Sequence, residues 1–205
     1  YFDPALDVSA ERSEFHIDPA KPTILWMPTF GEGACSIPFF ARALAPLADR
    51  FNLIVRPHPL SFRENPEQVE LLHALSFRID GDATRDMNRL YRIADAVLCD
   101  YGGSAFGALY LGKRMVLLEV PGSSDWFTVR ESSNLELARH YPSITPETAT
   151  HSLPGLLADT AYWKDQEPKA RALSDKYFAN MRGSSSRRAA ELLLGMDDLL
   201  AMQYP

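Results

Sequence analysis

The chain has 205 residues, of which 46% are hydrophobic and 23% are charged, and its formal net charge is −6 at pH 7. This composition is typical of a globular protein with one substantial core. The acidic balance argues against a nucleic acid or an anionic membrane surface as the main partner, since both select a basic protein face. No apolar run approaches the roughly 20 residues that a transmembrane helix needs, so no such segment is expected.

The first part of the chain predicts two buried strands separated by a helix. Residues 23–27 (TILWM) form an apolar run, and a loop with two glycines follows it over 28–33. Ser36 is predicted to cap a helix whose apolar positions fall on one face, namely Phe39, Phe40, Ala43, Leu44 and Leu47. Residues 51–56 (FNLIVR) predict the second strand, which ends before Pro57-His58-Pro59 because proline cannot continue the ladder.

Strands and helices continue to alternate up to residue 120. Helices are predicted over 66–75, 86–93 and 104–111, and strands over 76–79, 96–100 and 114–120. The five predicted strands show little polar alternation, which is typical of a parallel sheet covered on both faces. The sequence therefore predicts an α/β fold with a doubly wound, mostly parallel Rossmann-like sheet and helices on both faces. Further helices, expected to pack on this sheet, are predicted over 135–140, 153–160, 168–178 and 185–194.

The segment 96–113 carries the strongest functional signal. A buried strand ends on Asp100, the chain turns through Gly102 and Gly103, and a helix opens near Ser104. At such a junction the carboxyl end of the strand and the amino end of the helix meet in one crevice. Backbone N–H groups and the positive end of the helix dipole point there, so phosphate is the expected ligand. The alternative is that the glycines only make a turn and Asp100 only caps the helix.

Three other segments offer polar groups. His58 lies between two prolines and close to Arg56, which suits phosphate binding or proton transfer near neutral pH. Thr29 offers a hydroxyl at the end of the first strand, although a simple turn explains that loop equally well. The start of the last helix carries hydroxyls and a cation that could hold phosphate, or could form an N-cap on a solvated helix: Ser184, Ser185, Ser186 and Arg187.

Several site types are not supported. Asp80, Asp82 and Asp86 lack the spacing of a calcium loop, so helix capping is the preferred interpretation and no metal site is predicted. Cys35 and Cys99 are interpreted as buried small residues, in keeping with a reducing cytosol. The sequence lacks the Gly-x-Gly-x-x-Gly, phosphate-loop and Gly-x-Ser-x-Gly motifs, which argues against nicotinamide dehydrogenases, P-loop enzymes and serine hydrolases.

Three segments together resemble the carboxyl-terminal half of CDP-glycerol glycerophosphotransferases. They are 24–30 (ILWMPTF), 56–59 (RPHP) and 90–101 (LYRIADAVLCDY), the last running into a glycine and serine turn. Residues 1–3 (YFD) and 183–187 (GSSSR) are similar to further landmarks of that half. The resemblance covers nearly the whole chain. It implies one lobe of a two-lobed GT-B fold, with 1–20 as a lead-in segment and 21–205 as a nucleotide-donor-binding domain with C-terminal helices.

The resemblance also implies an activity. Enzymes of this family transfer glycerol phosphate from CDP-glycerol to a glycerol-phosphate or polymer acceptor and release CMP, which builds teichoic-acid-type polymers. His58 and Asp100 are the implied catalytic residues, and no metal or cofactor is implied. The implied nucleotide and phosphate ligands are Thr29, Arg56, Gly102, Gly103, Ser104, Ser184, Ser185, Ser186 and Arg187. The implied partners are the donor nucleotide and a preceding first lobe, and the implied location is the cytoplasm, with the inner face of the membrane as an option through the parent chain.

Two other interpretations stay open. One is a lobe of a UDP-type nucleotide-sugar glycosyltransferase or 2-epimerase, which would prefer uridine nucleotides. The other is a non-catalytic α/β binding domain, because the fold does not fix the function. On any nucleotide-binding interpretation, His58→Ala and Asp100→Ala are each expected to weaken binding and to leave the fold intact.

Overall fold

A computed structural model describes residues 5–31, 33–100, 102–122, 133–178 and 185–196. Within these residues the centre of the molecule is one parallel sheet of six strands, which are β1 (Thr23–Met27), β2 (Asn52–Val55), β3 (Arg78–Ile79), β4 (Ala96–Cys99), β5 (Arg114–Leu118) and β6 (Ser143–Ile144). The strand order is β3-β2-β1-β4-β5-β6, and every described pairing is parallel. The predicted doubly wound sheet is therefore confirmed.

Helices cover both faces of the sheet. They are α1 (Ser9–Glu14), α2 (Ile37–Leu44), α3 (Ser61–Glu64), α4 (Pro66–Ala74), α5 (Met87–Ile93), α6 (Gly103–Tyr110), α7 (Ser133–His140), α8 (Pro146–Ala158), α9 (Thr160–Tyr177) and α10 (Ser185–Leu194), with a 3₁₀ turn over Ala45–Asp49. None of the helices in the described ranges has the length and apolar character that a membrane span needs.

The side chains of the sheet alternate between two apolar layers. Ile24 and Trp26 of β1 pack in one layer with α2, α4 and α8, whereas Leu25 and Met27 pack in the other with α5, α6 and α7. Helix α9 joins both layers, since Trp163 belongs to the first and Leu173 to the second. All five residues of β1 are buried, as a central strand with two covered faces requires.

Several predicted elements differ from the structure, and α9 begins at Thr160, eight residues before the predicted start at 168. Strand β6 was not predicted, because two residues are too few to form a recognisable apolar run. Helix α8 begins at Pro146, ahead of the predicted start at residue 153. Thr145 and Thr148 form a capping box there, and proline is tolerated in a first helical turn because its missing N–H has no acceptor in the helix.

The predicted capping role of Ser36 is wrong. Ser36 does occupy the N-cap position of α2, but its side chain makes no cap hydrogen bond. Its hydroxyl instead accepts a hydrogen bond from the indole Nε1–H of Trp26 at 3.0 Å. Trp26 is among the largest fully buried side chains, so its N–H needs a partner inside the core and Ser36 supplies it.

The two ends of the described chain behave differently. In the predicted lead-in segment, α1 packs beside α5, and Phe15 is buried in the core layer that contains α5. The late helices α7, α8 and α9 pack on the sheet as predicted, whereas α10 buries none of its residues. Cys35 and Cys99 are buried free thiols, as predicted, and burial raises the pKa of each to about 12.

Gly107 makes room for a buried tyrosine beneath α6. The Tyr91 hydroxyl donates to the carbonyl of Ser104 at 2.9 Å, and burial raises the pKa of Tyr91. A Cβ at position 107 would lie 2.6 Å from the Tyr91 oxygen and 3.2 Å from its Cζ. Helix α6 therefore depends on glycine at this position for its contact with α5.

We expect Gly107→Ala to lower the free energy of unfolding by about 1 to 2 kcal/mol, measured by urea denaturation. Overpacking of about 2 to 3 kcal/mol exceeds the gain of about 1 kcal/mol from replacing a helical glycine. The double variant Gly107→Ala/Tyr91→Phe should lose less than the sum of the two single changes, because the clashing oxygen is removed. Additive losses would show that the Tyr91 hydroxyl is not the obstacle.

Candidate functional site

The candidate site lies where β1 and β4 end side by side. The pairing of Met27 with Cys99 makes both strands stop at the same level, so the chain leaves them through Pro28 and Asp100. The sheet order reverses between these two strands, since β2 follows β1 on one side and β4 lies on the other. Ligands of open α/β sheets bind at such a switch point, outside the carboxyl ends of the strands.

Asp100 ties the two loops of the crevice together. Its carboxylate accepts hydrogen bonds from the amide of Thr29 at 2.8 and 3.0 Å and from the amide of Ser36 at 2.8 Å. The residue is only 1% exposed. Its charge therefore sits at the N-terminus of α2, which favours a negative group. These hydrogen bonds connect the end of β4 to the loop and the helix that follow β1.

The turn into α6 has the glycine geometry that the sequence suggested. Gly102 has φ +96°, a conformation that other residues rarely adopt, and a Cβ there would lie 3.5 Å from Thr29 Oγ1. Gly103 opens the helix, and a Cβ there would contact nothing within 4 Å. The amides of a first helical turn lie outside the helix's own hydrogen bonds, so this end of α6 offers N–H donors to an anion.

Ser104 is connected to the protein core through both its carbonyl and its side chain. Its carbonyl accepts the Tyr91 hydroxyl, and a hydrogen bond with its side chain acts against burial in setting the pKa of the Cys99 thiol. Tyr91 and Cys99 thus support the first turn of α6 from below. Sequence reasoning did not find the support from Tyr91, although its position in the segment 90–101 was a usable signal.

His58 is exposed at the end of β2 and has a fixed ring orientation. Its Nδ1 accepts a hydrogen bond from the amide of Leu60 at 3.2 Å, so the neutral ring carries its proton on Nε2. The ring packs against Phe30, with 5.6 Å between the centroids and 31° between the planes. Since Phe30 follows Thr29, the loop after β1 connects His58 with Gly102. The structure therefore brings together His58, Thr29, Asp100 and the turn at Gly102.

Arg56 has a different setting from the one expected of a phosphate ligand. The residue is 7% exposed, and its guanidinium donates to the carboxylate of Asp80 and the carbonyl of Asp82. The sequence could not show this, because Asp80 lies 24 residues further along the chain. Asp86 caps α5 as predicted, by accepting from the amide of Asn88. The described residues contain no cluster of ligands that could hold a metal ion.

The C-terminal candidates divide into three groups. Ser184 lies outside the described residues. Ser185 begins α10 and lines an open cavity of about 640 Å³, which Gly103 also lines. Ser186 and Arg187 are exposed, and Arg188 rather than Arg187 lines the cavity. Residues three apart share a helix face, so the spacing from Ser185 could have pointed to Arg188.

No family profile matches the sequence, and no curated protein sequence does. Solved structures do share its fold. The wall teichoic acid polymerase TagF matches with a TM-score of 0.65 and 17% identity, over 97% of this chain and 48% of TagF. A co-structure of S. aureus MnaA with UDP matches with 0.58 and 16%, over 93% of this chain and 49% of that one.

The C-terminal CMP-Kdo binding domain of WaaA from Acinetobacter baumannii also matches, with a TM-score of 0.51 and 10% identity, over 81% of this chain and 95% of that domain. The chain thus spans about half the length of TagF and of MnaA, and nearly all of the single WaaA domain. At these identities the likeness concerns the fold. The chain has the fold of one lobe of a GT-B transferase, as the resemblance implied.

Proposed function

We propose that this chain is the donor-nucleotide-binding lobe of a glycerophosphotransferase, which transfers glycerol phosphate from CDP-glycerol to a glycerol-phosphate or polymer acceptor and releases CMP. The observation that carries the proposal is the convergence of the α6 N-terminus, Thr29 and the His58 ring at the switch point of the sheet. A pyrophosphate needs N–H donors and a close backbone approach, and the turn at Gly102 and Gly103 supplies both.

The proposed chemistry is a displacement at phosphorus. The acceptor hydroxyl oxygen forms a bond to the phosphorus of glycerol phosphate, the bond from that phosphorus to the oxygen of CMP breaks, and the hydroxyl loses its proton. The developing negative charge on the leaving CMP has to be neutralised, which electrostatic contacts achieve without a covalent nucleophile. His58 is proposed for this step, because its Nε2–H can donate to a phosphate oxygen while Leu60 holds Nδ1.

The remaining site residues are proposed for binding and positioning. Asp100 accepts hydrogen bonds from the amides of Thr29 and Ser36. We therefore propose that it maintains the shape of the crevice, in addition to the catalytic role that the resemblance implies. Arg56 is proposed to act by fixing the end of β2, because Asp80 already holds its guanidinium. We propose that phosphate contacts come from Gly102, Gly103 and Ser104, and that the nucleotide is covered by Ser184, Ser185, Ser186 and Arg187.

Fold likeness and length support the same proposal. TagF, which has also been solved after a soak with CDPG, carries the matching lobe in about half of its chain. We therefore propose that a first lobe provides the acceptor site and the base that takes the proton of the acceptor hydroxyl. We also propose that the longer enzyme works in the cytoplasm, where it can attach to the inner face of the membrane. On this view the lobe alone binds the donor weakly.

A nucleotide titration of the 205-residue chain tests the proposal. Amide and His58 ring NMR signals are followed with CMP, CDP-glycerol, UMP and inorganic phosphate at millimolar concentration. NMR is preferred to thermal denaturation because a ligand at a concentration equal to its Kd raises the free energy of unfolding by only about 0.4 kcal/mol. We expect saturable shifts at residues 102–104 and at His58, with tighter binding for cytidine than for uridine nucleotides. His58→Ala should weaken the cytidine binding while the amide spectrum of the sheet stays unchanged.

The other outcomes are equally informative. A uridine preference would replace the proposal with a UDP-type glycosyltransferase or 2-epimerase lobe. Shifts with inorganic phosphate but with none of the nucleotides would contradict a nucleotide site. Equal affinity for CMP and UMP would contradict a cytidine-specific donor. An absence of shifts with all four ligands would contradict donor binding by this lobe and would favour a binding domain without catalytic function.

A further inference from the structure

A chain of buried charges links the lead-in helix α1 to the strand that leads into His58. Its members alternate in sign in the order Glu11, Arg85, Asp80 and Arg56. Their side chains are 4%, 10%, 1% and 8% exposed, respectively. Arg85 joins the two acids, with Nε 3.1 Å from Asp80 Oδ1 and a terminal nitrogen 3.7 Å from Glu11 Oε1. Arg56 pairs with the other oxygen of Asp80.

The α1 end of this charge chain is held by further contacts. Arg89 binds the Glu11 carboxylate and also donates to the carbonyl of Asp7 at 2.8 Å. Its hydrogen bond is the main reason why the pKa of Glu11 is lowered. Arg85 also reaches Glu14 at 2.6 Å and lies over the Phe15 ring at 5.3 Å from the centroid. Helix α1 is therefore docked through the two arginines that flank the start of α5, beside the buried ring of Phe15.

The other end of the charge chain is rigidly connected to the candidate site. Arg56 donates its amide to the carbonyl of Trp26, and Asp80 donates its amide to Val55. Only Pro57, whose φ is fixed by its ring, separates Arg56 from His58. The carbonyl of His58 in turn accepts the amide of Ser61 at 2.8 Å, which closes the turn. A displacement of the Arg56 backbone would therefore move the His58 ring.

Stability alone does not account for buried charges in this position. Replacing a buried ion pair by packed apolar side chains is often neutral or stabilising, whereas removing one partner is costly. Alternating charges do fix one arrangement, because each member has oppositely charged neighbours at defined positions. The charge chain thus specifies how α1, the loop over 80–85 and the end of β2 fit together.

We propose that α1 positions the His58 turn through this charge chain, so that docking of the lead-in segment and ligand affinity at His58 are coupled. Glu11, Arg85, Asp80 and Arg56 are positioning residues in this scheme, and none of them touches the ligand. The ligand part of the statement rests on the proposed function, whereas the link from Glu11 to His58 is a property of the ligand-free chain. Coupling of this kind is reciprocal, so a ligand at His58 must also strengthen the docking of α1 by the same factor.

The test uses Glu11→Gln in the 205-residue chain, with one measurement that needs no ligand and two that use CMP. The first is the ring spectrum of His58 without ligand, which reports the tautomer that the Leu60 amide selects. The other two are CMP affinity and hydrogen exchange of the α1 amides with and without CMP. The matched control is Glu136→Gln, which removes an acid that binds Lys176 and Tyr177 on α9.

We expect Glu11→Gln to shift the His58 ring signals, to weaken CMP binding about fivefold or more, and to abolish the slowing of α1 exchange by CMP. Glu136→Gln should leave all three unchanged. Unmoved His58 signals in Glu11→Gln, despite faster exchange of α1, would overturn the proposal.

If the 205-residue chain without substitutions binds no nucleotide, the proposed function fails. The His58 ring spectrum still decides whether α1 and the His58 turn are coupled. If Glu11→Gln does not fold, the test uses Glu14→Gln, which removes the half-exposed acid that pairs with Arg85. A change in the His58 ring signals of Glu14→Gln would support the proposal, and unchanged ring signals would overturn it.

Discussion

Asp100→Ala should lower the free energy of unfolding by about 2 to 5 kcal/mol, because it leaves the amides of Thr29 and Ser36 without an acceptor and each buried unpaired donor costs about 1 to 3 kcal/mol. For a chain of this length the loss corresponds to a fall in Tm of about 5 to 15 °C. This result differs from the expectation drawn from the sequence, which left the fold intact. Thermal and urea denaturation would measure it.

Asp95→Ala is the matched control for this change. The Asp95 carboxylate also accepts a backbone amide across the β1–β4 pair, that of Thr23 at 2.7 Å, but it lies at the opposite edge of the sheet and is exposed. We expect a smaller loss of stability and no change in nucleotide affinity. If Asp100→Ala unfolded at the same denaturant concentration as the parent, the carboxylate would not be what holds the loop after β1.

Gly103→Val should weaken nucleotide binding at least about tenfold, which is about 1.4 kcal/mol of binding free energy. A phosphate that accepts hydrogen bonds from the first turn of α6 must approach the backbone at position 103, and a branched side chain fills that space. The protein itself does not need the space, since a Cβ there meets nothing within 4 Å. Affinity should therefore fall with little change in the denaturation midpoint.

Two further glycine variants sharpen this experiment. Gly155→Val places the same side chain on α8, at an exposed position where a Cβ also meets nothing, and should bind nucleotide like the parent. Gly103→Ala should give an intermediate affinity. Parent-like binding by Gly103→Val would move the anion site away from the start of α6, whatever the stability of the variant.

The sheet could be predicted from the sequence because its central strands are short apolar runs that end at recognisable residues. The runs at 23–27 and 96–100 located β1 and β4, and parallel strands must end at one edge, so the convergence of Thr29 and Asp100 was predictable. Strand β6 has two residues and relies on its pairing with Leu117 and Leu118, which no local pattern reveals.

The side-chain partners in the candidate site were not predictable in the same way. The hydrogen bonds that Asp100 accepts join residues 64 and 71 positions apart. The Arg56 guanidinium pairs with Asp80, which the sequence analysis interpreted as a helix-capping residue. In each case residue type indicated an anion or a cation at the right edge of the sheet. Which charge meets the ligand and which is neutralised inside depends on distances that arise only when the sheet forms.

The central position of β1 and β4 also affects the order in which the sheet folds. The two strands lie side by side, although Thr23 and Asp95, which bond across them, are 72 residues apart along the chain. Closing so long a loop is entropically slower than pairing β1 with β2 or β4 with β5. We expect each half of the sheet to gain structure before the halves join. A chain still emerging from the ribosome would then carry neither wall of the crevice in its final place, and the crevice would be complete only once both halves are made.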